Sequence, residues 1–169
     1  YVVLTDRDDN IWIASADGGV SRYNPIEDSA TNFTHSESNI NSLSSDQTSD
    51  IFEDADGNVW IATSTGLNLF IPKTNSFKNY SSHNTSLPED PIISIYQTRE
   101  GRYWVGTISS LYSGMRTEFR KYDRTKGGLS NESVNAFAET SDGSLWVGTD
   151  DGLNRLRPGK TEFEWINES

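Results

Sequence analysis

The sequence predicts an all-β chain, a β-propeller built of four-stranded antiparallel blades, with four blades in 169 residues. Three observations carry this. A tryptophan-centred segment recurs four times, turn residues bound each copy, and the apolar side chains inside each copy follow the two-residue period of strands.

Aligned on tryptophan, the copies read "RDDNIWIASADGGVSRYNP" (7–25), "DADGNVWIATSTGLNLFIP" (54–72), "TREGRYWVGTISSLYSGMR" (98–116) and "TSDGSLWVGTDDGLNRLRP" (140–158). The tryptophans Trp12, Trp60, Trp104 and Trp146 are 48, 44 and 42 residues apart. Strand A of each unit precedes the copy, at "YVVLTD", "SDIFED", "IISIYQT" and "VNAFAET". The A–B turn comes next, "DRDDN", "DADGN", "TREGR" or "TSDGS", rich in the Asp, Asn and Gly that accept a positive φ. Strand B carries the tryptophan, and in "NVWIAT" both faces are apolar or small, as in a strand covered on both sides. A second turn holds Gly19, Gly66 or Gly152, and strand C ends at Pro25, Pro72 or Pro158. Strand D is expected at "NFTH", "FKNY", "FRKY" and "FEWI". The longest loops, "SESNINSLSSDQ", "SSHNTSLPED" and "DRTKGGLSNES", lead from strand D to the next strand A and absorb the variation in spacing. Small sheets that are apolar on both faces are covered when stacked radially, which is the propeller. The chain reads as a single propeller segment, 1–169, with blades at approximately 1–35, 47–81, 91–123 and 132–166.

Composition narrows the function. A net charge of −11 with scattered basic residues argues against a nucleic-acid partner and an anionic membrane surface. With no cysteine there are no disulfides, thiolate metal sites or cysteine nucleophiles. No apolar run is long enough to span a membrane, and "YVVLTDRDDN" does not resemble a signal peptide. The absent initiator Met suggests a piece of a longer protein, so any membrane role falls to segments outside this chain.

The motif D-x-x-G-x-[hydrophobic]-W-[IV]-[AG]-T, followed by G-L-x-R-[hydrophobic] and the linker N-x-L-S, resembles the two-component-regulator propeller repeat. It stands here as "DADGNVWIATSTGLNLFIP" and "TSDGSLWVGTDDGLNRLRP", with the linkers "NSLSSD" (41–46) and "GGLSNES" (127–133). The resemblance implies the periplasmic sensor region of a Bacteroidetes hybrid two-component system, whose propellers, usually seven-bladed, precede a β-sandwich, a membrane helix and histidine-kinase and response-regulator modules, and many of which sense glycan fragments. It implies a non-catalytic part whose ligand is an oligosaccharide or other small molecule. Blade three departs from the pattern, with Ser110 where other units have Gly and a shorter C–D connection over 111–118. Four blades are fewer than the family closes, leaving three arrangements: part of a larger ring, two copies paired edge to edge, or a tight four-blade ring. Self-association is the expectation for the isolated chain.

The recurring tryptophans, by their identical place in every unit, read as blade core rather than a sugar-stacking ladder. Trp165 falls outside the register and reads as a surface aromatic. The carboxylates of "DRDDN" and "DADGN" read as hairpin turns, since no glutamate closes a twelve-residue calcium loop, and His35 and His83 read as surface residues, so neither metal nor cofactor is expected. "TSDGSLW" lacks the residue between Asp142 and Gly143 that a sialidase Asp-box needs, and no nucleophile, base and arginine cluster converge. A lyase or glycosidase is the third reading, after a ligand sensor and a plain interaction scaffold. The ligand candidates are Asp17, Thr65, Ser109 and Asp151, one on each B–C turn, where short polar side chains suit a polyhydroxylated ligand.

Overall fold

The computed structural model describes residues 1–115, 118–122 and 128–166. Of the expected C–D connection of blade three (111–118), residues 116–117 lie outside them, as does the start of the third long loop (123–127), while 111–115 and 118 belong to strands rather than to a connection. Among the described residues sixteen strands form four sheets, each a meander in chain order. Blade one comprises β1 (Val2–Thr5), β2 (Ile11–Ser15), β3 (Gly19–Asn24) and β4 (Ser29–Phe33). Blade two comprises β5 (Thr48–Glu53), β6 (Val59–Thr63), β7 (Gly66–Ile71) and β8 (Ser76–Tyr80). Blade three comprises β9 (Ile92–Gln97), β10 (Tyr103–Thr107), β11 (Leu111–Met115) and β12 (Glu118–Lys121), and blade four β13 (Val134–Glu139), β14 (Leu145–Thr149), β15 (Gly152–Leu156) and β16 (Glu164–Ile166).

The register repeats because the turns repeat. Trp12 lies opposite Leu4 and Arg22, Trp60 opposite Phe52 and Leu69, Trp104 opposite Ser113, and Trp146 opposite Ala138 and Arg155. Strand A slips by one residue in blades two and four, between Thr48 and Asp50 and between Val134 and Ala136. Such a bulge adds twist where the strand leaves its linker. β4 begins at Ser29, three residues before the expected "NFTH". The Asn24 side chain accepts the backbone N–H groups of Ile26 (2.9 Å) and Glu27 (3.2 Å), and Asp28 takes a left-handed φ of 47°. Together they turn the chain back early.

The chain divides into two compact units, Tyr1–Ile92 and Ile93–Ser169, each dominated by two blades. The core of the first unit holds Trp12, Val20, Ile51, Ile61, Phe70 and Phe77, and that of the second Trp104, Leu111, Val134, Leu145, Val147 and Phe163. The linkers seal these cores from below: Leu43 and Leu129 belong to the two clusters, and Leu87 is also buried. β6 and β10 are buried at every residue, whereas β2 alternates and leaves Ile11 and Ile13 partly exposed. Trp12, Trp60 and Trp104 are at most 5% exposed, Trp146 is half-buried, and Trp165 is 55% exposed.

The B–C turns explain their glycines. Gly19 and Gly66 have positive φ, and a Cβ there would lie 2.1 Å from the carbonyl oxygen of Phe33 or 2.3 Å from that of Tyr80 on strand D. No side chain fits such a gap. In blade three Ser110 replaces glycine without a positive φ, and the turn still closes through Thr107, whose backbone N–H (2.9 Å) and hydroxyl (3.1 Å) both donate to the Ser110 carbonyl.

Candidate functional site

Each blade offers two ends to a ligand: the end of the A–B and C–D turns, and the end of the B–C turns and long linkers. At the first, the acidic turns are organised by a single carboxylate. Asp6 accepts the N–H groups of Asp8 and Asn10 and the Asn10 side-chain amide, and takes the Trp12 indole N–H at 2.7 Å. Asp54 does the same with Asp56, Asn58 and Trp60, whose indole N–H lies at 2.8 Å. A buried carboxylate acceptor of this kind contributes about 1.5–3 kcal/mol per bond. These aspartates therefore hold the hairpin and orient the core tryptophan, a role the hairpin reading of "DRDDN" and "DADGN" did not include. Among the described residues no group of three or more His, Asp or Glu is placed to hold a metal ion.

The other two blades solve the same problem differently. In blade four the hub moves two residues on. Asp142 accepts the Thr140 hydroxyl (2.6 Å) and the Ser144 N–H (3.0 Å) and hydroxyl (3.0 Å), and these bonds, Thr140's first, lower its pKa from 3.8 to about 2. Thr140 Oγ1 in turn accepts the Trp146 indole N–H at 3.2 Å. In blade three Thr98 donates to the Arg102 carbonyl, and the buried Trp104 indole N–H has no acceptor among the described residues. An orphaned donor of this kind costs about 1–3 kcal/mol.

Within each unit an arginine latches one A–B turn to the next blade. The Arg7 guanidinium pairs with Glu53 at 2.8 Å and reaches the Asp54 and Ala55 carbonyls, while its backbone N–H also donates to Glu53. In the second unit the Arg99 backbone N–H donates to Glu139 at 2.9 Å and its guanidinium reaches the Thr140 carbonyl at 3.3 Å.

Between the latched turns lies a groove in each unit. In the first, a cavity of about 520 Å³ is lined by Asp8, Asp9, Glu53 and Arg22. The Arg22 guanidinium sits 5.7, 5.9 and 5.1 Å from the ring centroids of Trp12, Phe33 and Phe70, filling an aromatic box from within. In the second, a cavity of about 340 Å³ is lined by Trp104, Ser113, Tyr122, Arg102, Arg157 and Lys160, among others. Its aromatic wall is Trp104 and Tyr122, which pack with Phe163 at centroid distances of 5.2–6.1 Å. Here strand C presents Ser113 opposite the tryptophan, not arginine. The Tyr122 hydroxyl, like the Trp104 N–H, is buried with no partner among the described residues. Burial first, and then the charge of Glu162, hold the Tyr122 phenol above its usual pKa, so it remains a neutral donor.

At the other end, a buried clasp repeated in two blades ties each linker to a B–C turn. Asn68 and Asn154, each fully buried, accept the backbone N–H of Ser44 and Ser130 at 2.8 Å. The Ser44 and Ser130 hydroxyls bond Thr63 and Thr149 at 2.9 and 2.8 Å, and those threonines donate to the carbonyls of Gly66 and Gly152. Blade three has Pro88 and Tyr112 at the corresponding places. Proline carries no N–H for an asparagine to accept, so the two replacements go together.

The four ligand candidates sit on these turns. Asp17 is exposed and its carboxylate takes no hydrogen bond from a described residue. Thr65 is exposed, but its hydroxyl donates to the Ser44 carbonyl at 3.0 Å. Ser109 is half-buried, with its N–H on Thr107 Oγ1 at 3.2 Å. Asp151 is exposed and accepts the Asn131 amide at 2.8 Å. In the first unit Asp17 and Thr65 hang on one linker, since Gly19 donates to the Asp46 carbonyl and Thr65 bonds Ser44. In the second, Ser109 and Asn131 line one cavity of about 20 Å³, room for a single water, with Asp151 behind Asn131. Each pair is thus brought to one loop cluster. His35 and His83 are both exposed, and His35 Nδ1 bonds the Leu43 carbonyl at 2.7 Å.

A family profile described as the two component regulator propeller matches residues 42–65, 86–109 and 128–151. Each match begins at the linker leucine-containing segment and ends at the B–C turn, so it frames the clasp together with the tryptophan strand. Among solved structures, the extracellular domain of a hybrid two-component system from B. thetaiotaomicron superposes with a TM-score of 0.84 at 19% identity, covering 96% of this chain and 22% of that one. A second such domain from the same organism gives 0.79 at 20% identity, covering 99% and 22%. Virginiamycin B lyase from Staphylococcus aureus gives 0.71 at 16% identity, covering 96% and 53%. At these identities the likenesses establish the propeller fold, and the chain spans about a fifth of the two-component domains it resembles. No curated protein sequence matches it.

Proposed function

Because the chain is built of two-component regulator propeller repeats, we propose that it is a segment of the extracytoplasmic sensor region of a hybrid two-component histidine kinase and response regulator, periplasmic in location and without catalysis of its own. The observation that carries this reading is the threefold repeat match, supported by the fold shared with extracellular domains of hybrid two-component systems. No helix among the described residues is long and apolar enough to cross a membrane. A sensor of this kind works by differential binding: a ligand that prefers one arrangement of the sensor shifts its population, and the kinase reads the shift.

The ligand in this reading is a glycan fragment, held at the B–C turns by Asp17, Thr65, Ser109 and Asp151. The half-exposed apolar side chains Val3, Ile11 and Ile13 on blade one and Leu153, Trp165 and Ile166 on blade four favour association of these faces with further blades or a second copy. Thermal unfolding with a panel of neutral oligosaccharides tests the ligand. The expected result is a rise in Tm with at least one of them, lost when Asp17, Thr65, Ser109 and Asp151 are all changed to Ala. A rise that survives the fourfold variant removes the turn residues from the site, and no rise with any oligosaccharide removes the sugar site from this chain.

A further inference from the structure

We propose that the groove between the A–B turn of blade three and the C–D turn of blade four is a second ligand site, and that its ligand is a single sugar ring carrying a carboxylate, of the hexuronic acid class. The inference concerns the opposite end of the blades from the turn candidates and stands independently of them.

In the first unit the aromatic part of this groove is occupied by the chain itself, and a cavity of about 520 Å³ remains beside it. There Arg22 projects from strand C into the box formed by Trp12, Phe33 and Phe70, and Asp6 takes the indole N–H. The second unit keeps two rings of the box, Trp104 and Tyr122, has Leu156 in register with Phe70, and removes both occupants. Phe33 and Tyr122 are equivalent in register, the first opposite Val20 and the second bonded by its N–H to the Leu111 carbonyl. Ser113 stands where Arg22 does, and Thr98 where Asp6 does. The cavity here, about 340 Å³, is within the range of small-molecule pockets and has the Trp104 and Tyr122 rings in its wall with no guanidinium between them.

The polar groups of the cavity select the ligand's sign. The Trp104 indole N–H and the Tyr122 hydroxyl are both donors, both buried and both without a partner among the described residues. Both are met by the acceptor oxygens of a ligand, and the indole N–H, which can only donate, admits nothing else. The rim carries Arg102, Arg157 and Lys160 against Glu100 and Glu139. Glu139 is engaged by the Arg99 N–H and Arg157 by Glu164 at 3.0 Å. Among the lining residues that leaves Arg102 and Lys160 beside Glu100, with Glu162 close enough to act on Tyr122, so that the rim offers two basic groups to a ligand carboxylate on a chain of net charge −11. Ring faces that stack on aromatics, hydroxyl and ring oxygens that accept buried donors, and a carboxylate for the basic rim are together the chemistry of a uronate.

The experiment follows the indole N–H resonances of this chain by NMR during titration with glucuronate, galacturonate, glucose and benzoate, with the Trp104 signal assigned by its loss in Trp104→Phe. The expected result is a saturable downfield shift of the Trp104 signal with at least one uronate, and glucose weaker by roughly tenfold or more. Two variants separate the site from the fold. Ser113→Arg transplants the arrangement of the first unit and is expected to abolish the shift with Tm unchanged or raised. Arg102→Ser with Lys160→Ser changes only the exposed rim and is expected to weaken uronate by roughly fivefold while leaving glucose unchanged. No Trp104 shift with either uronate overturns the site. Glucose or benzoate binding as well as the uronates, or a rim double variant without effect, overturns the ligand class. None of these outcomes bears on the oligosaccharide response of the B–C turns.

Discussion

The two halves of the chain solve one packing problem with different side chains. In the Tyr1–Ile92 unit the core tryptophans are anchored by buried aspartates and an internal cation occupies the aromatic part of the inter-blade groove. In the Ile93–Ser169 unit the same backbone positions carry threonine and serine, one tryptophan donor goes unsatisfied, and no cation lies between the groove's rings. What the difference teaches is that strand register is set by the turns and the packing of one residue per blade. The polar trim around that residue is free to vary, and where it is stripped away a site can form. Polar satisfaction and binding capacity trade against each other at a fixed fold.

The comparison breaks most readily at the tryptophans. Trp60→Ala, in a strand buried at every residue, is expected to destabilise by about 3–5 kcal/mol, whereas Trp146→Ala, half-buried, costs about 1–2 kcal/mol. Chemical denaturation of the two variants distinguishes a graded core from an equal one. Next come the anchors. Asp54→Ala strands the Trp60 donor and two turn N–H groups and is expected to cost about 3 kcal/mol, while Thr140→Ala in blade four costs less than about 1 kcal/mol. Arg22→Ser makes the first groove resemble the second. It removes a guanidinium from three ring faces and is expected to lower stability by about 1–2 kcal/mol in urea titration. The smallest effect is electrostatic. Because the Asp142 pKa is depressed from 3.8 to about 2, its contribution is fully present above the ordinary carboxylate range and is lost as pH falls through about 2. Asp142→Asn is therefore expected to lower Tm slightly at neutral pH, and the gap from the unaltered chain should close in strong acid.

Much of the fold was legible because strands, turns and tryptophans recur in phase. Gly19 and Gly66 announced the B–C turns, whereas the burial of Leu43 and Leu129 in the cores was not read from the linkers that carry them. Strand D of blade one was read late because its start depends on a side-chain turn at Asn24, and "NFTH" has no signal for that. The candidate site was legible only in part. Asp17, Thr65, Ser109 and Asp151 do stand on the B–C turns, but that Thr65 and Asp151 hold linkers depends on Ser44 and Asn131, which lie about twenty residues upstream in each case. Asn68 and Asn154 were missed as the hub of the clasp. Their signal was present in "GLNLF" and "GLNRL", where an amide stands in a strand that is otherwise apolar and so needs a buried partner. The open groove left no local signal, since it arises from Ser113 and Thr98 standing where Arg22 and Asp6 stand in another blade, a comparison that needs the strand register.

The most direct test of the unequal anchoring is the set of blade-tryptophan indole N–H signals in the ligand-free chain, read by NMR for chemical shift and hydrogen exchange. The structure predicts Trp12 and Trp60 to be downfield and slow to exchange on their carboxylates, Trp104 to be slow but without the downfield displacement of a hydrogen bond, and Trp146 to exchange fast. Four equivalent signals, or a Trp104 signal as far downfield as that of Trp60, would contradict the account.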